Sequence, residues 1–548
     1  MPRIQETDMS THFNNWPNEQ GFQPNYEQKI PVELQVTGEI PAYTAGVLYR
    51  TGPGRYEVDI VEGNTFQISH WFDGFSQTHR FQLVAPETTS SGVRVFYNSR
   101  TATDSLIEEV RKTGSLDHFS FGQKRDPCKT MFKKFQSSYQ PNQGASISNI
   151  GVTLSINMPG LESYSTKQGG GRWDGITTLY AKTDTSKFKK IHPETLEPIG
   201  LAEQRDLHPD LDGPLSASHA KSDPKTGDVY NYNISFTPRP TYRVFRVSAA
   251  TGETTILATF PATPAYLHSL FLTEDYVIVS VWNAHLSPVE LAKGSLIEAL
   301  QPFDPSQPAK WYVVDRKHGK GLIATYDSRA FFCFHSVNAW QEPSLTDPSK
   351  TDIVAECVMF ESSDVLYRLY YELLLSNSPK AQQSSHKHFS GSKIARFRLP
   401  SIPTTPTAGT QTASVDWTAG EFPLELPTLN PAYLTRPHRY TYAVVGRGES
   451  TFLDGILKFD SQTKESYIWH RHAQSPGEPI FIADPKGGTE DAGVLLSVVL
   501  DGMTGRSYLL CLDATTVTEL GRAQVEGPIG FGFHGQHIPT RGMPTGDF

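Results

Sequence analysis

The feature of this sequence that most constrains its fold is a long series of short strand patterns separated by turn residues. Short apolar or alternating segments recur between Gly, Pro, Asn and Asp, as at 46–54, 276–283 and 493–502. The 43 Gly and 39 Pro residues suit many turns better than they suit long helices. We therefore predict an all-β fold in which helices are scarce.

Two segments show a more specific pattern, in which a strand, a tight turn and a second strand follow one another. They cover residues 245–253 and 457–464, and each has the pattern of the outer hairpin of a propeller blade. No strict blade signature repeats along the chain. The periodicity therefore favours a β-propeller but leaves the number of blades open.

The chain is predicted to consist of an arm and one large domain. Residues 1–30 are polar and aromatic without periodicity, and we interpret them as an N-terminal arm. Residues 31–548 are predicted to form a single β-propeller domain, because closed β structures of this length occur as one unit. Two insertions are predicted: 284–310 has a helical pattern between prolines, and 376–415 is a Ser/Thr/Pro/Gln-rich tract typical of a mobile surface loop or linker.

Charge and cysteine content argue against several classes of partner and site. A net charge of -9 without a clustered basic face argues against DNA or RNA as a ligand. The four cysteines are far apart and form no C-x-x-C pair, so neither a disulfide framework nor a thiolate metal site is predicted. This cysteine usage favours a reducing, cytoplasmic location.

Contact with a membrane is predicted to be peripheral at most. The N-terminus has no apolar signal core, and no window reaches the about eighteen apolar residues that cross a bilayer. Residues 128–135 interleave lysines with Met and Phe at helical spacing and could rest on a membrane surface. Such a segment can equally cover its own core. The oligomeric state is left open.

Residues 331–340 place a histidine inside an aromatic strand pattern. The segment reads FFCFHSVNAW, so His335 stands where an apolar residue would be expected. A buried polar group without a partner costs roughly 1–3 kcal/mol, so His335 needs a hydrogen-bond partner or a metal. A satisfied core histidine and a metal ligand are both compatible with this segment.

Three further histidines share this context, since each lies near a predicted strand end beside apolar or small residues. They are His219, His268 and His534. No single helix or hairpin could bring them to His335, but a closed propeller can, because the inner strand of each blade reaches the same axis. Four imidazoles would form a site suited to Fe, Cu, Ni or Zn. His386 and His388 lie in the polar tract, and we interpret their H-x-H spacing as solvent exposure.

The motifs around these four histidines resemble the ligand motifs of the carotenoid cleavage oxygenases, in the same order along the chain. They are SASHAKSDP at 216–224, LHSLFLT at 267–273, FHSVNAW at 334–340 and GFHG at 532–535. The resemblance extends to WFDG at 71–74, DPCK at 126–129, PETLE at 193–197, ELPTLN at 425–430 and GEPIF at 477–481. It implies that the four histidines are the metal ligands, with His537 as the second choice for the last position.

The resemblance also implies a fold and a cofactor. Members of this family are seven-bladed β-propellers with a dome of loops and helices over the metal face, and four histidines hold one non-haem Fe(II). Three acidic residues accept hydrogen bonds from the ligand rings; here they correspond to Asp184, Glu425 and Glu478. The family usually has Glu at the first of these positions, so we expect Asp184 to reach its histidine less directly. Glu425 and Glu478 could instead be solvated loop acids.

The activity implied by the resemblance is oxidative cleavage of a carbon–carbon double bond. Members of the family add both oxygen atoms of O2 across a conjugated double bond and release two carbonyl products. A long polyene needs an apolar tunnel, and Phe72, Thr183, Phe334 and Trp340 are expected to line it. The arm motif NNWPNEQGF and segment 46–54 are most similar to fungal enzymes that cleave torulene to an apocarotenal in carotenoid biosynthesis.

Three alternatives stay open. Stilbene-cleaving relatives, which act on resveratrol-type phenols, carry a lysine just before the first acidic position, where this chain has Thr183 with Lys182 one residue earlier; this favours a polyene. Retinoid isomerases share the implied fold and iron. A propeller that binds a ligand or partner without chemistry would need the histidines only as structural residues.

Overall fold

Short strands make up most of the molecule, as the turn-rich sequence predicts. The computed structural model describes residues 11–86, 92–124, 144–162, 175–292, 294–384, 391–540 and residue 544. The helices in these ranges are α1 (Glu19–Phe22), α2 (Asp104–Thr113), α3 (Gln204–Leu207), α4 (Pro288–Leu291), α5 (Leu296–Ala299), α6 (Val365–Arg368), α7 (Tyr371–Leu374) and α8 (Pro379–Ser384). None of these helices is long and apolar enough to cross a membrane. The predicted all-β class is confirmed.

The strands follow one another in short intervals from end to end of the described chain. The first ten are β1 (Val32–Gly38), β2 (Gly46–Pro53), β3 (Glu57–Asp59), β4 (Thr65–Gln67), β5 (Ser76–Val84), β6 (Arg94–Thr101), β7 (Thr153–Ile156), β8 (Leu179–Lys182), β9 (Lys187–Ile191) and β10 (Pro198–Glu203). The next nine are β11 (Leu215–Ser216), β12 (Lys221–Ser222), β13 (Val229–Ser235), β14 (Thr241–Val247), β15 (Thr254–Pro261), β16 (Phe271–Leu272), β17 (Tyr276–Val281), β18 (Ala309–Asp315) and β19 (Leu322–Ser328).

The second half of the chain continues the same pattern with fifteen strands. The first nine are β20 (Phe332–Pro343), β21 (Thr351–Phe360), β22 (Lys393–Ile402), β23 (Thr410–Thr412), β24 (Ser414–Ala419), β25 (Leu424–Thr428), β26 (Tyr440–Val445), β27 (Gly455–Asp460) and β28 (Ser466–Trp469). The last six are β29 (Gln474–Pro476), β30 (Ile480–Ala483), β31 (Gly493–Asp501), β32 (Arg506–Asp513), β33 (Thr518–Gln524) and β34 (His534–Pro539).

Five of the sheets have the width of a propeller blade. Their strand orders are β10-β9-β8-β7, β11-β13-β14-β15 with β12 beside β13, β16-β17-β18-β19-β23, β20-β21-β22-β24 and β25-β26-β27-β28. Most neighbours within each sheet follow one another along the chain and pair in antiparallel fashion, which is the meander of a propeller blade. An exception is β23, which joins β19 in parallel. Strands β3 and β4 form a separate hairpin. The β-propeller architecture is confirmed.

A ten-stranded sheet closes the propeller and joins the two ends of the chain. Its order is β29-β31-β32-β33-β1-β6-β5-β2-β34, with β30 beside β31. Strand β34 pairs with β2, and His534 lies opposite Thr51. Strand β1 pairs through residues 32–34 with β6 and through residues 35–38 with β33, so one strand links what would otherwise be two sheets. The described residues therefore form five blade-sized sheets and one double-width sheet, not the seven separate blades that were predicted.

The hydrophobic core lies largely between neighbouring sheets. In one such layer, Tyr49 of β2 and Ile538 of β34 pack against Leu154 of β7 and Leu179 of β8. Burying a side chain of this size contributes about 1.5–3 kcal/mol. These layers hold the sheets around a common axis, and the inner strands and the loops beside them carry the functional residues.

The residues before β1 pack against the propeller. Trp16 is buried, and its indole N–H donates to Ser475 Oγ at 3.0 Å. Phe22 makes edge contacts with Phe452 and Phe531, with ring centres 5.3 and 4.8 Å apart. The division into an arm of residues 1–30 and a single domain stays a prediction.

The two ranges predicted as insertions have different structures. The range 284–310 contains the short helices α4 and α5, and its role as an insertion stays a prediction. The range 376–415 is not one loop or linker, because β22 lies inside it and pairs with β21 and β24. Its buried Phe397 and Leu399 alternate as in any strand, but the surrounding Ser, Thr and Pro residues obscured them. Residues 128–135, His386 and His388 lie outside the described residues.

Candidate metal centre

Four histidines that are distant in sequence meet at one point of the structure. They are His219, His268, His335 and His534, all buried, and their potential ligand atoms lie within 4.8 Å of one another. His335 belongs to β20 and His534 begins β34, whereas the other two lie in the loops before β12 and β16. A hydrogen bond of 3.1 Å from His219 N–H to His268 O joins those two loops.

The ring nitrogens in this cluster face one another. The Nε2 atom of His534 lies 3.0 Å from His219 Nε2 and 3.2 Å from His335 Nε2. His335 and His534 use their Nδ1–H groups to donate to carboxylates, so in the neutral rings each Nε2 presents a lone pair. Facing lone pairs repel unless a cation lies between them. Adjacent ligands of an ion bound at about 2.1 Å are separated by about 3 Å, so the donor set fits a metal ion.

Burial favours the neutral form of two of these rings. It lowers the pKa of His219 and of His534 well below the usual value, and positive charge on the neighbouring rings lowers both further. Neutral imidazole is the form that binds a metal. His537, the second choice for the last position, lies outside the cluster and contacts the carbonyl oxygen of Thr44 at 2.9 Å from its Nε2.

Three of the four rings contact a carboxylate through Nδ1. His335 Nδ1 lies 2.5 Å from Glu425 Oε2, and His534 Nδ1 lies 2.7 Å from Glu478 Oε1. Glu425 and Glu478 are both buried, so they are not solvated loop acids. Such contacts fix the tautomer and the orientation of a ligand ring.

The third carboxylate, Asp184, also reaches its ring directly. Asp184 Oδ1 lies 2.8 Å from His268 Nδ1, so the expectation of a less direct contact is wrong. The loop after β8 brings the aspartate closer, because Ser216 N–H donates to Asp184 O at 3.0 Å and Ser218 N–H donates to Asp184 Oδ1 at 3.2 Å. These backbone contacts fix the position of the aspartate.

Arg50 supports Glu478 from β2, and sequence reasoning missed it. Its NH1 group donates to Glu478 Oε2 at 2.7 Å, and Gly535 N–H donates to the same oxygen at 2.8 Å. Burial raises the pKa of Glu478 to about 7, although Arg50 opposes this shift. The sequence does carry a sign of this contact, because Arg50 lies inside the largely apolar strand GVLYRTGP and a buried arginine needs an anionic partner.

A cavity of about 500 Å³ lies directly beside the cluster. Three of the histidines, His268, His335 and His534, contribute to its wall. Most other wall residues are apolar. They include Leu106, Leu116, Phe121, Leu291, Leu296, Phe452 and Phe533. Sequence reasoning did not assign these residues to the cavity, because they come from separate segments and all but Phe533 lie outside the motifs.

Three of the four residues expected to line the tunnel do line this cavity: Phe72, Thr183 and Phe334. Trp340 does not. It is five residues beyond His335 in β20, or roughly 16 Å at the usual strand rise. Its ring contacts His438 instead, and its indole N–H donates to Glu342 Oε2 at 3.1 Å.

Local hydrogen bonds hold Phe72 at the cavity wall. It lies in a short 3-10 turn, and its N–H donates to His70 Nδ1 at 3.2 Å. Asp73 of the same turn accepts from Phe121 N–H and Gly122 N–H at 2.5 and 2.7 Å. The Phe72 ring makes edge contacts of 5.8 Å with Phe334 and 4.8 Å with Phe121. The motif WFDG therefore builds part of an aromatic wall.

The sequence of this chain matches one protein family over almost its whole length. Residues 21–539 match the family model described as retinal pigment epithelial membrane protein. A carotenoid dioxygenase of Neurospora crassa is 40% identical, with 96% of this chain and 92% of that protein covered. A torulene dioxygenase of Gibberella fujikuroi is 38% identical, with 97% and 95% covered.

A solved structure shares the fold. A variant of the Synechocystis apocarotenoid oxygenase superposes with a TM-score of 0.73 at 21% identity, with 97% of this chain and 100% of that chain covered.

Proposed function

The chain belongs to the carotenoid oxygenase family, and from this membership we propose that it cleaves a conjugated C=C bond of a carotenoid with O2 to give two carbonyl products. Torulene or a similar polyene is the proposed substrate, and an apocarotenal is the proposed product. The observation that carries the proposal is the convergence of four buried imidazoles, three of which line the wall of a largely apolar cavity.

The proposed metal is Fe(II), held by His219, His268, His335 and His534. The donor set supports this choice, because four neutral nitrogens without a carboxylate ligand leave coordination positions open for small molecules. Bound there, Fe(II) would supply the electrons that O2 chemistry requires. Asp184, Glu425 and Glu478 would keep the ligand rings in the tautomer that presents a lone pair to the ion.

The cavity residues would bind and orient the polyene. Phe72 and Phe334 present aromatic surface close to His335, and apolar side chains keep water away from the reacting double bond. A conjugated chain has no hydrogen-bonding groups along its length. Apolar contacts of this kind are therefore what would hold it in register with the metal.

Stilbene cleavage is the alternative. Thr183 argues against it, because it stands where stilbene-cleaving relatives have lysine, lines the cavity and supplies no charge for a phenolate. Lys187 favours it, because this residue also contributes to the cavity wall and is exposed. If its amine turned inward, it could bind a phenol oxygen, whereas a hydrocarbon gains nothing from it.

The finer description of the fold also belongs to the proposal. The double-width sheet supports a count of seven blades if it is taken as two blades joined by β1. The loops and helices that carry Leu106, Leu291 and Leu296 would form the dome over the metal face. The arm of residues 1–30 would lie over the single domain of residues 31–548, which the hydrogen bond from Trp16 to Ser475 supports.

The test is product analysis after anaerobic loading with Fe(II). The protein is incubated with torulene, β-carotene or resveratrol under ¹⁸O2. The products are separated by chromatography, and mass spectrometry identifies them and measures their ¹⁸O content. We expect apocarotenal from torulene, with label in both carbonyl products. Aldehyde from resveratrol alone would contradict the carotenoid assignment. Binding of a polyene without any cleavage would indicate a binding module.

A further inference from the structure

The three carboxylates at the histidines are fixed by different donors. Glu478 is held by Arg50, and Glu425 accepts from Leu426 N–H at 2.8 Å. Asp184 accepts a hydrogen bond of 3.1 Å at Oδ2 from the hydroxyl of Tyr266. That hydroxyl also lies 3.3 Å from His268 Nδ1. Tyr266 thus contacts both members of the His268–Asp184 pair.

The geometry of the contact between Asp184 and His268 differs from that of the two glutamate–histidine contacts. Both oxygens of Asp184 approach Nδ1 of His268, at 2.8 and 3.0 Å, whereas each glutamate contacts its ring through one oxygen. Two nearly equal acceptors for one N–H fix its direction less well than one acceptor does. Each oxygen also accepts from a second donor, Ser218 N–H at Oδ1 and the Tyr266 hydroxyl at Oδ2, so the two donors together fix the orientation in which the carboxylate meets the ring.

Packing and a backbone hydrogen bond fix the position of Tyr266, so its hydroxyl can orient Asp184. Its side chain is buried, and its ring contacts Phe121 at 5.4 Å between ring centres. Its carbonyl oxygen accepts from the indole N–H of Trp282 at 2.9 Å. The hydroxyl is therefore placed by packing on two sides, and its proton points to the aspartate.

We propose that Tyr266 is a positioning residue that orients His268 through Asp184 and thereby compensates for the short acidic side chain at this position. This inference rests on the proposed metal site. Removal of the hydroxyl should loosen His268 and speed the loss of the bound ion, while the protein remains folded. Hydrogen-bond partners behind a metal ligand typically change metal affinity by about 10–100-fold.

The test measures metal dissociation from the full chain loaded with Co²⁺, by chelator competition and by the visible absorption bands of the bound ion. Tyr266→Phe should release Co²⁺ about tenfold faster than wild type and should shift the absorption bands. The matched control is Tyr326→Phe. It removes another buried tyrosine hydroxyl, which donates to Pro400 O at 2.9 Å, and should leave the dissociation rate unchanged.

A double-mutant cycle decides whether Tyr266 acts through Asp184. Asp184→Asn alone should also speed release, and adding Tyr266→Phe to it should have little further effect. Unchanged release in Tyr266→Phe, or additive effects in the double variant, would overturn the inference. If Tyr266→Phe does not fold, unchanged release in Asp184→Asn overturns it. Failure of the wild type to bind Co²⁺ would instead count against the metal site itself.

Discussion

The metal centre and the cavity beside it share a wall but are built from opposite kinds of contact. At the centre, directed hydrogen bonds of 2.5 to 2.8 Å fix the rings of His335, His534 and His268. In the cavity, Phe72 and Phe334 meet edge to face, at 5.8 Å, and impose little direction on a ligand. The first arrangement tolerates few substitutions, whereas the second can change residue by residue and so adapt to different substrates.

The largest effect is expected from a change at the centre. His335→Ala removes one of the four nitrogens and leaves the buried Glu425 without its imidazole partner. We expect cleavage to fall to background and metal binding to be lost, while circular dichroism shows a folded propeller. If the His335→Ala variant still cleaved the polyene, His335 would not be a ligand, and the metal centre would tolerate substitution as well as the cavity does.

A second substitution tests how far the rigidity of the centre extends. Arg50→Met leaves Glu478 as a buried carboxylate without its cation, which should cost about 3–5 kcal/mol of unfolding free energy. It should also weaken metal binding by about 10–100-fold, because Glu478 then orients His534 less well. Denaturant unfolding and chelator competition measure the two effects.

The control for this substitution is Arg316→Met. Arg316 forms a buried pair with Asp223 at 2.6 Å, and neither residue belongs to the histidine cluster or to its three carboxylates. It should cost a similar unfolding free energy and leave metal affinity unchanged. Equal loss of metal from both variants would show that general destabilisation, and not the support of Glu478, releases the ion.

The cavity should respond more weakly and in a different parameter. Phe72→Ala removes aromatic surface but touches no ligand or carboxylate, so metal content should stay at the wild-type level. We expect KM for the polyene to rise about tenfold, equivalent to about 1.4 kcal/mol of binding. Steady-state kinetics and metal analysis check this, and loss of metal from Phe72→Ala would remove the distinction between the two regions.

The smallest effect is expected at Trp340, which lies outside both regions. Trp340→Phe removes the hydrogen bond from its indole to Glu342 and should cost about 1 kcal/mol of stability. KM and kcat should stay at the wild-type values. A rise in KM as large as that in Phe72→Ala would place Trp340 at the substrate.

The same contrast explains how much the sequence could predict. The four histidines and three acids stand in short motifs whose residue types the chemistry restricts, and the structure brings all seven together. Arg50 and Tyr266 were missed because the carboxylates that they contact, Glu478 and Asp184, lie far away in the sequence. Trp340 was placed wrongly, since neighbouring motif residues need not point to the same site. The cavity wall carries only hydrophobicity, which is shared with the core.

At the level of the fold, the strand and turn patterns predict an all-β propeller, but they do not predict which strands join neighbouring sheets. Nothing in residues 32–38 signals that the two halves of β1 pair with different strands. Such pairing depends on where the ends of the chain meet, which is a property of the closed structure. The strand within 376–415 was hidden for a simpler reason, because polar residues dominate its flanks.

The most direct test of the account is the iron content of the purified protein after anaerobic loading with Fe(II) and removal of excess ion. The account predicts about one iron per chain, as expected for four preformed imidazole ligands. An iron content below a few tenths per chain, in protein that is folded by circular dichroism, would contradict the claim that these histidines form an iron site.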